Sequence, residues 1–233
     1  MSGQNQPQKN SPNHPNLLEQ QFFKRISAVI TVLLILILFF LIRGRGPKKR
    51  MEGFITDLNK KHVPEWGNGK EFIVIHYTGI PADGHAIPES GIGAHFYIYG
   101  DGTIYQTEPV DAVMWQVGTA DGRYSKLRED ANNHNCIGIE MCTRCDGNPD
   151  DIRDEKWYLT EETQMAAVRL TRRLMNELNI PADHGIRHGD IVDKWCPAPY
   201  FNNNHYKTSW TWDEFKEHLA SFPEEDVPKY PIV

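Results

Sequence analysis

In Arg187-His188-Gly189-Asp190-Ile191-Val192-Asp193-Lys194-Trp195-Cys196-Pro197, a histidine, a lysine and a cysteine fall in close order, and the following proline stiffens the cysteine. A second histidine, His76, ends an apolar run more than a hundred residues earlier, and Glu140 ends another. Two neutral imidazoles and a thiolate form a complete protein ligand set for one catalytic zinc, with the fourth position left open. Such an ion polarises a carbonyl and activates water. The reaction then needs a proton shuttle and a cation for the tetrahedral oxyanion. Glu140 is the candidate shuttle, an acid at a strand end with no basic near neighbour, and Lys194 is the candidate cation. His184 competes with His188 as a ligand, because it lies two alternations earlier on the same strand face and periodicity separates neither from the metal. Each residue also has a plain reading: a histidine after a buried strand is commonly a hydrogen-bonded bystander, and a lysine is usually solvated.

The elements that must position these groups read as an α/β domain. Phe72-Ile73-Val74-Ile75 is a continuous run of β-formers, so it is a buried strand that delivers His76 at its carboxyl end. In open α/β sheets that end is where ligands bind. Residues 79–93 are rich in glycine and proline and form a loop. His95–Tyr99, Gly-Asp-Gly and Thr103–Gln106 make a hairpin. In Cys136–Met141, Ile137, Ile139 and Met141 share one face, while Cys136, Gly138 and Glu140 share the other, aiming Glu140 at the site. Thr160 with Glu161 and Glu162 opens a helix in which Ala167, Leu170, Leu174 and Leu178 recur, and Pro181 closes it. Residues 184–188 read as a short strand. Thr211 and Glu214 form a capping box ahead of a last helix carrying Trp212, Phe215, Leu219 and Phe222 on one face.

Charge narrows the partners. Eight of the 25 basic residues and one of the 31 acidic ones fall within residues 1–50, so residues 51–233 carry 17 against 30, a net of −13. An acidic globular part repels phosphate backbones, so no nucleic-acid partner is expected. The basic residues instead flank the apolar run Ile26–Ile42, which reads as an uncleaved single-pass membrane anchor. The expected organisation is a disordered tail (1–21), a transmembrane anchor (22–43), a linker and lead-in (44–69), a catalytic domain (70–222) and a loose acidic tail (223–233). The positive charges after the run favour a cytoplasmic domain, whereas the activity argued below favours the cell-wall side, and the conflict stays open. If Cys196 is a ligand, Cys136, Cys142 and Cys145 allow at most one disulfide. Nothing fixes the oligomeric state.

Phe72-Ile-Val-Ile-His76-Tyr-Thr, Ala94-His95-Phe-x-Ile, Gly100-Asp-Gly-Thr-Ile-Tyr-Gln106, Trp115-x-x-Gly118, Asn135-x-Ile-Gly-Ile-Glu140 and His188-Gly-Asp-Ile with Lys194-x-Cys196-Pro197 together resemble the type 2 N-acetylmuramoyl-L-alanine amidases, in the superfamily of phage lysozyme-type amidases and peptidoglycan recognition proteins. The resemblance spans about residues 70–222. It implies a central mixed β-sheet flanked by helices, one zinc in a surface groove, and hydrolysis of the amide between the lactyl group of N-acetylmuramic acid and L-alanine in peptidoglycan. Carried over residue by residue, it implies His76, His188 and Cys196 as metal ligands and Lys194 at the oxyanion. Some members place a tyrosine where this chain has Ala94; others place a glutamate at the end of the Ile-Gly-Ile strand, as Glu140 does, so Glu140 is the expected shuttle. Members with that glutamate often use aspartate as third ligand, so Cys196 makes the site mixed in type. His95 and Trp115 are expected to meet the substrate, His95 supporting the groove and Trp115 forming its wall. Loss of the cysteine converts members into non-catalytic muropeptide-binding modules, the rival reading. A cell-wall peptidase on the same scaffold is a third.

Overall fold

Alternation in the sequence turns directly into a two-faced sheet. The computed structural model describes residues 53–58, 63–85, 92–118 and 122–233. In chain order the strands are β1 (Phe54–Thr56), β2 (Glu65–Trp66), β3 (Phe72–Pro81), β4 (Phe96–Ile98), β5 (Ile104–Gln106), β6 (Ala112–Val113), β7 (Cys136–Cys145), β8 (Trp157–Tyr158) and β9 (Gly185–Arg187). The helices are α1 (Glu161–Leu178), α2 (His188–Ile191), α3 (Ala198–Asn202) and α4 (Trp212–Ser221). Among the described residues, the main sheet runs β1-β5-β4-β7-β3-β9, with β8 pairing β7, and a small second sheet joins β2 to β6. Strands β4, β7, β3 and β9 are mutually parallel, while β4–β5 and β7–β8 are antiparallel, so the sheet is mixed.

The central strands β7 and β3 are buried on both faces, which explains their near-continuous apolar runs. One face carries Ile73, Ile75, Phe96, Ile98, Ile137, Ile139 and Met141 into a core with Leu170 and Leu174 of α1 and Phe215 and Leu219 of α4. Thr160 caps α1 by accepting from the Thr163 N–H, and Asn179 ends it in the left-handed conformation. The Thr211–Glu214 capping box opens α4 as its sequence predicts. The opposite face packs Phe72 and Val74 of β3, Cys136 of β7 and Ile186 of β9 against Val117, Ala131 and Val192 of the loops and Ile191 of α2, rather than against a long helix. In the hairpin, β4 and β5 pair antiparallel through a turn whose Gly102 has φ 83°.

One part of the expected architecture is corrected. A single transmembrane helix is expected ahead of the sheet, but among the described residues no helix is long and apolar enough to cross a membrane. Residues 22–43, on which that expectation rests, lie outside the described residues, as do the tail 1–21 and the first part of the linker. The fold class retained is therefore the mixed sheet with its helices, and no membrane placement is kept. The tail after residue 222 also differs from expectation. Tyr230 is buried and stacks on Phe54 at 4.8 Å, and the Val233 N–H donates to Gln106 Oε1, so apolar contact and backbone hydrogen bonds hold the acidic segment down. Cys136, Cys142, Cys145 and Cys196 are all free thiols.

Candidate functional site

Register brings the chemistry together. His76 on β3 is the direct partner of Glu140 on β7, which is in turn the partner of Tyr97 on β4. Paired residues on parallel strands point to the same side, so His76, Glu140 and Tyr97 form a row on the face opposite the α1 core. Tyr97 carries no chemical signature of its own in the sequence. The alternation in Phe96-Tyr97-Ile98, with Phe96 and Ile98 in the α1 core, is the signal that would have found it.

The second imidazole and the thiol come from one tight loop. Strand β9 stops at Arg187, and His188 is the first residue of α2. Asp190 anchors that turn, accepting from the Arg187 N–H at 2.9 Å and pairing with its guanidinium at 2.8 Å. The loop then folds back: the Gly189 N–H donates to the Cys196 carbonyl (2.8 Å), and the Cys196 N–H donates to that of Lys194 (2.9 Å). This crossing needs glycine, because a Cβ on Gly189 would run into the Lys194 carbonyl oxygen and the Phe201 ring. Cys196 is thereby set among Tyr77, Trp157 and Ala198.

Ligand atoms of His76, His188 and Cys196 all lie within 4.8 Å of one another, and all three residues are buried. The Cys196 Sγ is 4.0 Å from His76 Nδ1, and the two imidazoles are 4.6 Å apart between centroids. His76 Nε2 and both nitrogens of His188 are buried with no hydrogen-bond partner. Orphaned ring nitrogens are costly. A soft sulfur and two imidazoles converging on one point match the donor set of a zinc-type ion, so the residues present fit a bound metal. Burial holds His76 neutral, pushing its pKa down to about 3 with help from the Lys194 charge. Burial likewise holds His188 well below its ordinary value, with His76 and Lys194 adding to the effect. Both rings therefore have a lone pair free at neutral pH. Burial pushes the Cys196 thiol up to about 12, with Glu140 adding to the rise and Lys194 opposing it. Only a nearby cation makes that sulfur a thiolate at neutral pH.

Glu140 is half-buried, and its Oε2 has no partner. Burial raises its pKa to about 8, and Lys194 pulls against that rise. Lys194 thus acts electrostatically on His76, His188, Cys196 and Glu140 alike, and its Nζ lies 5.8 Å from the Tyr124 ring centroid.

Two expected residues stand elsewhere. His184 stacks on Phe72 at 4.3 Å, and its Nδ1 contacts the Glu71 carbonyl, apart from the cluster. His95 is fully buried: its Nε2 donates to the Ala112 carbonyl (2.9 Å) and its Nδ1 accepts from the Gly138 N–H (3.1 Å). Both nitrogens are used, so His95 ties β4 to β7 and β6 and offers nothing to a ligand, a correction to its expected contact with substrate. Trp115 is 53% exposed and bridges to exposed Ile92 through the backbone.

The family model described as N-acetylmuramoyl-L-alanine amidase matches residues 67–199. The chain is 28% identical over 181 residues to the N-acetylmuramoyl-L-alanine amidase CwlH of Bacillus subtilis (strain 168), covering 72% of this chain and 62% of that protein. The chain thus spans less than two thirds of that relative. Among solved structures, the catalytic domain of XlyA is similar with a TM-score of 0.52 and 24% identity, over 72% of this chain and 99% of that one. A mutant endolysin from Bacillus subtilis matches with the same TM-score at 23% identity, again over 72% and 99%. At such identities the two structures speak for the fold.

Proposed function

The chain belongs to the N-acetylmuramoyl-L-alanine amidase family, and from that premise we propose that it is a zinc-dependent hydrolase of the amide between the lactyl group of N-acetylmuramic acid and L-alanine in peptidoglycan. The observation that carries this reading is the convergence of His76, His188 and Cys196, their buried nitrogens unpartnered, beside a carboxylate in register with His76. One zinc held by these three residues would supply the Lewis acid that polarises the scissile carbonyl.

The chain's own groups do the remaining work. Glu140, with its occluded Oε2, takes the proton of the attacking water and later delivers it to the leaving amine of L-alanine. A carboxyl with a pKa near neutrality suits both transfers, and the raised value of Glu140 is of that kind. The Lys194 ammonium offsets charge as it develops on the carbonyl oxygen. Burial of His76, His188 and Cys196 keeps bulk water from screening these interactions. Exposed Trp115, with Ile92 beside it, is the proposed wall of the substrate groove, where an indole can cover the apolar face of a sugar.

The test is product analysis. The full chain, supplied with zinc and incubated with peptidoglycan, should release new L-alanine amino termini without new reducing sugar ends. Binding without cleavage would replace this reading with a muropeptide-recognition module. New amino termini of residues other than L-alanine would replace it with a peptidase.

A further inference from the structure

His76 must satisfy two ring nitrogens, and the metal uses only one. Cys196 Sγ approaches Nδ1 at 4.0 Å, so the converging ligands lie on the Nδ1 side. With its Nδ1 lone pair committed to a cation, a neutral imidazole carries its proton on Nε2. That Nε2 is buried and has no hydrogen-bond partner.

A complementary orphan lies on the same face of the sheet. Gln116 Oε1 is also buried and unpartnered. Its amide is not free to turn, because Nε2 donates to the Cys136 carbonyl (2.9 Å), which can accept only from an N–H. The Gln116 backbone N–H is held by Asn133 Oδ1 at 3.0 Å. These anchors lay the amide across Gly138, where a Cβ would collide with Gln116 Oε1 and Cδ. Gly138 pairs with Val74, which precedes His76 by two residues on the same face. The Gln116 side chain thus sits near enough to the His76 ring to act on it.

Resting on the metal site argued above, we propose that Gln116 is a positioning residue for the metal centre. Its Oε1 accepts the Nε2–H of His76, fixing the tautomer and ring angle that present Nδ1 to the ion. The absence of a side chain at Gly138 has its reason here, since any side chain would push the Gln116 amide off its seat. Metal-ligating histidines commonly donate their second N–H to a carbonyl or carboxylate, and loss of that partner weakens metal binding by about 10–100-fold.

The experiment uses the full chain labelled with 15N-histidine. In zinc-loaded wild type, the His76 Nε2 proton should give a resonance protected from exchange with water. Gln116→Met keeps the side-chain length but removes the acceptor. It should lose that protection and bind zinc about 10–100-fold more weakly in competition with a chromophoric chelator. Wild-type affinity in a folded Gln116→Met chain would overturn the role of Gln116, as would a freely exchanging Nε2 proton in zinc-loaded wild type. The wild-type resonance decides the matter even if the variant does not fold. A wild-type chain that takes up no zinc would overturn the metal site itself, and this inference with it.

Discussion

His76 and Glu140 are register partners on adjacent parallel strands, so the imidazole proposed as a metal ligand and a carboxylate leave the sheet side by side. A residue placed this way can move protons without holding the metal. Glu140→Gln keeps the shape and removes the base. It should retain zinc at wild-type stoichiometry and lose about 10²–10⁴-fold in kcat, the usual share of general acid–base catalysis. Steady-state kinetics with parallel metal analysis checks this; full activity in Glu140→Gln would remove Glu140 from the mechanism.

The same carboxyl sets a pH dependence of stability. Its pKa of about 8 in the folded chain lies above its unfolded value near 4.5, so the folded state holds the proton more tightly. The stabilising contribution is complete below pH 4.5 and is lost as pH rises through about 8. Urea unfolding of the chelator-treated chain should therefore show the wild type losing stability relative to Glu140→Gln between those limits. A pH-independent difference would contradict it. Glu108, buried with Oε2 unpartnered and raised to about 7 by burial, should show the same sign over a window ending about one unit lower.

The Cys196 thiol, pushed up to about 12 by burial, keeps its proton at neutral pH unless a cation arrives. Zinc uptake at pH 7 should release about one proton per chain, because a coordinating thiol is deprotonated. Isothermal titration in buffers of different ionisation enthalpy measures that number directly. In Cys196→Ser the release and the tight binding should disappear together.

Gly189 should tolerate no side chain. A methyl there must displace the Lys194 carbonyl or the Phe201 ring, and forcing extra volume into a packed site costs about 1–3 kcal/mol. Gly189→Ala should lower the thermal midpoint and also weaken zinc binding, since the Gly189 N–H to Cys196 carbonyl bond closes the loop that carries the proposed ligands His188 and Cys196. A loss of stability with metal affinity intact would detach the loop from the site.

Much of this arrangement is legible in the chain. The Ile137, Ile139 and Met141 alternation put Glu140 on the site face because sheet geometry allows no other outcome. The choice between His184 and His188 was not legible by period, because the strand ends at Arg187 and α2 begins at His188, where the period of two no longer applies. His95 misled for a related reason: its partners, the Ala112 carbonyl and the Gly138 N–H, lie far along the chain, and residue type alone does not reveal an occupied imidazole. Gln116 went unremarked because its meaning depends on the bare backbone of Gly138 beneath it. The C-terminal segment read as loose from its acids, yet Tyr230 and Val233 pin it to β1 and β5.

The coordination shell of zinc in the full chain, read by X-ray absorption, tests the central claim most directly. One ion per chain with two imidazole nitrogens and one sulfur, and with the sulfur lost in Cys196→Ser, is the predicted result. A bound ion with no sulfur in its shell, or no bound ion at all, would contradict it.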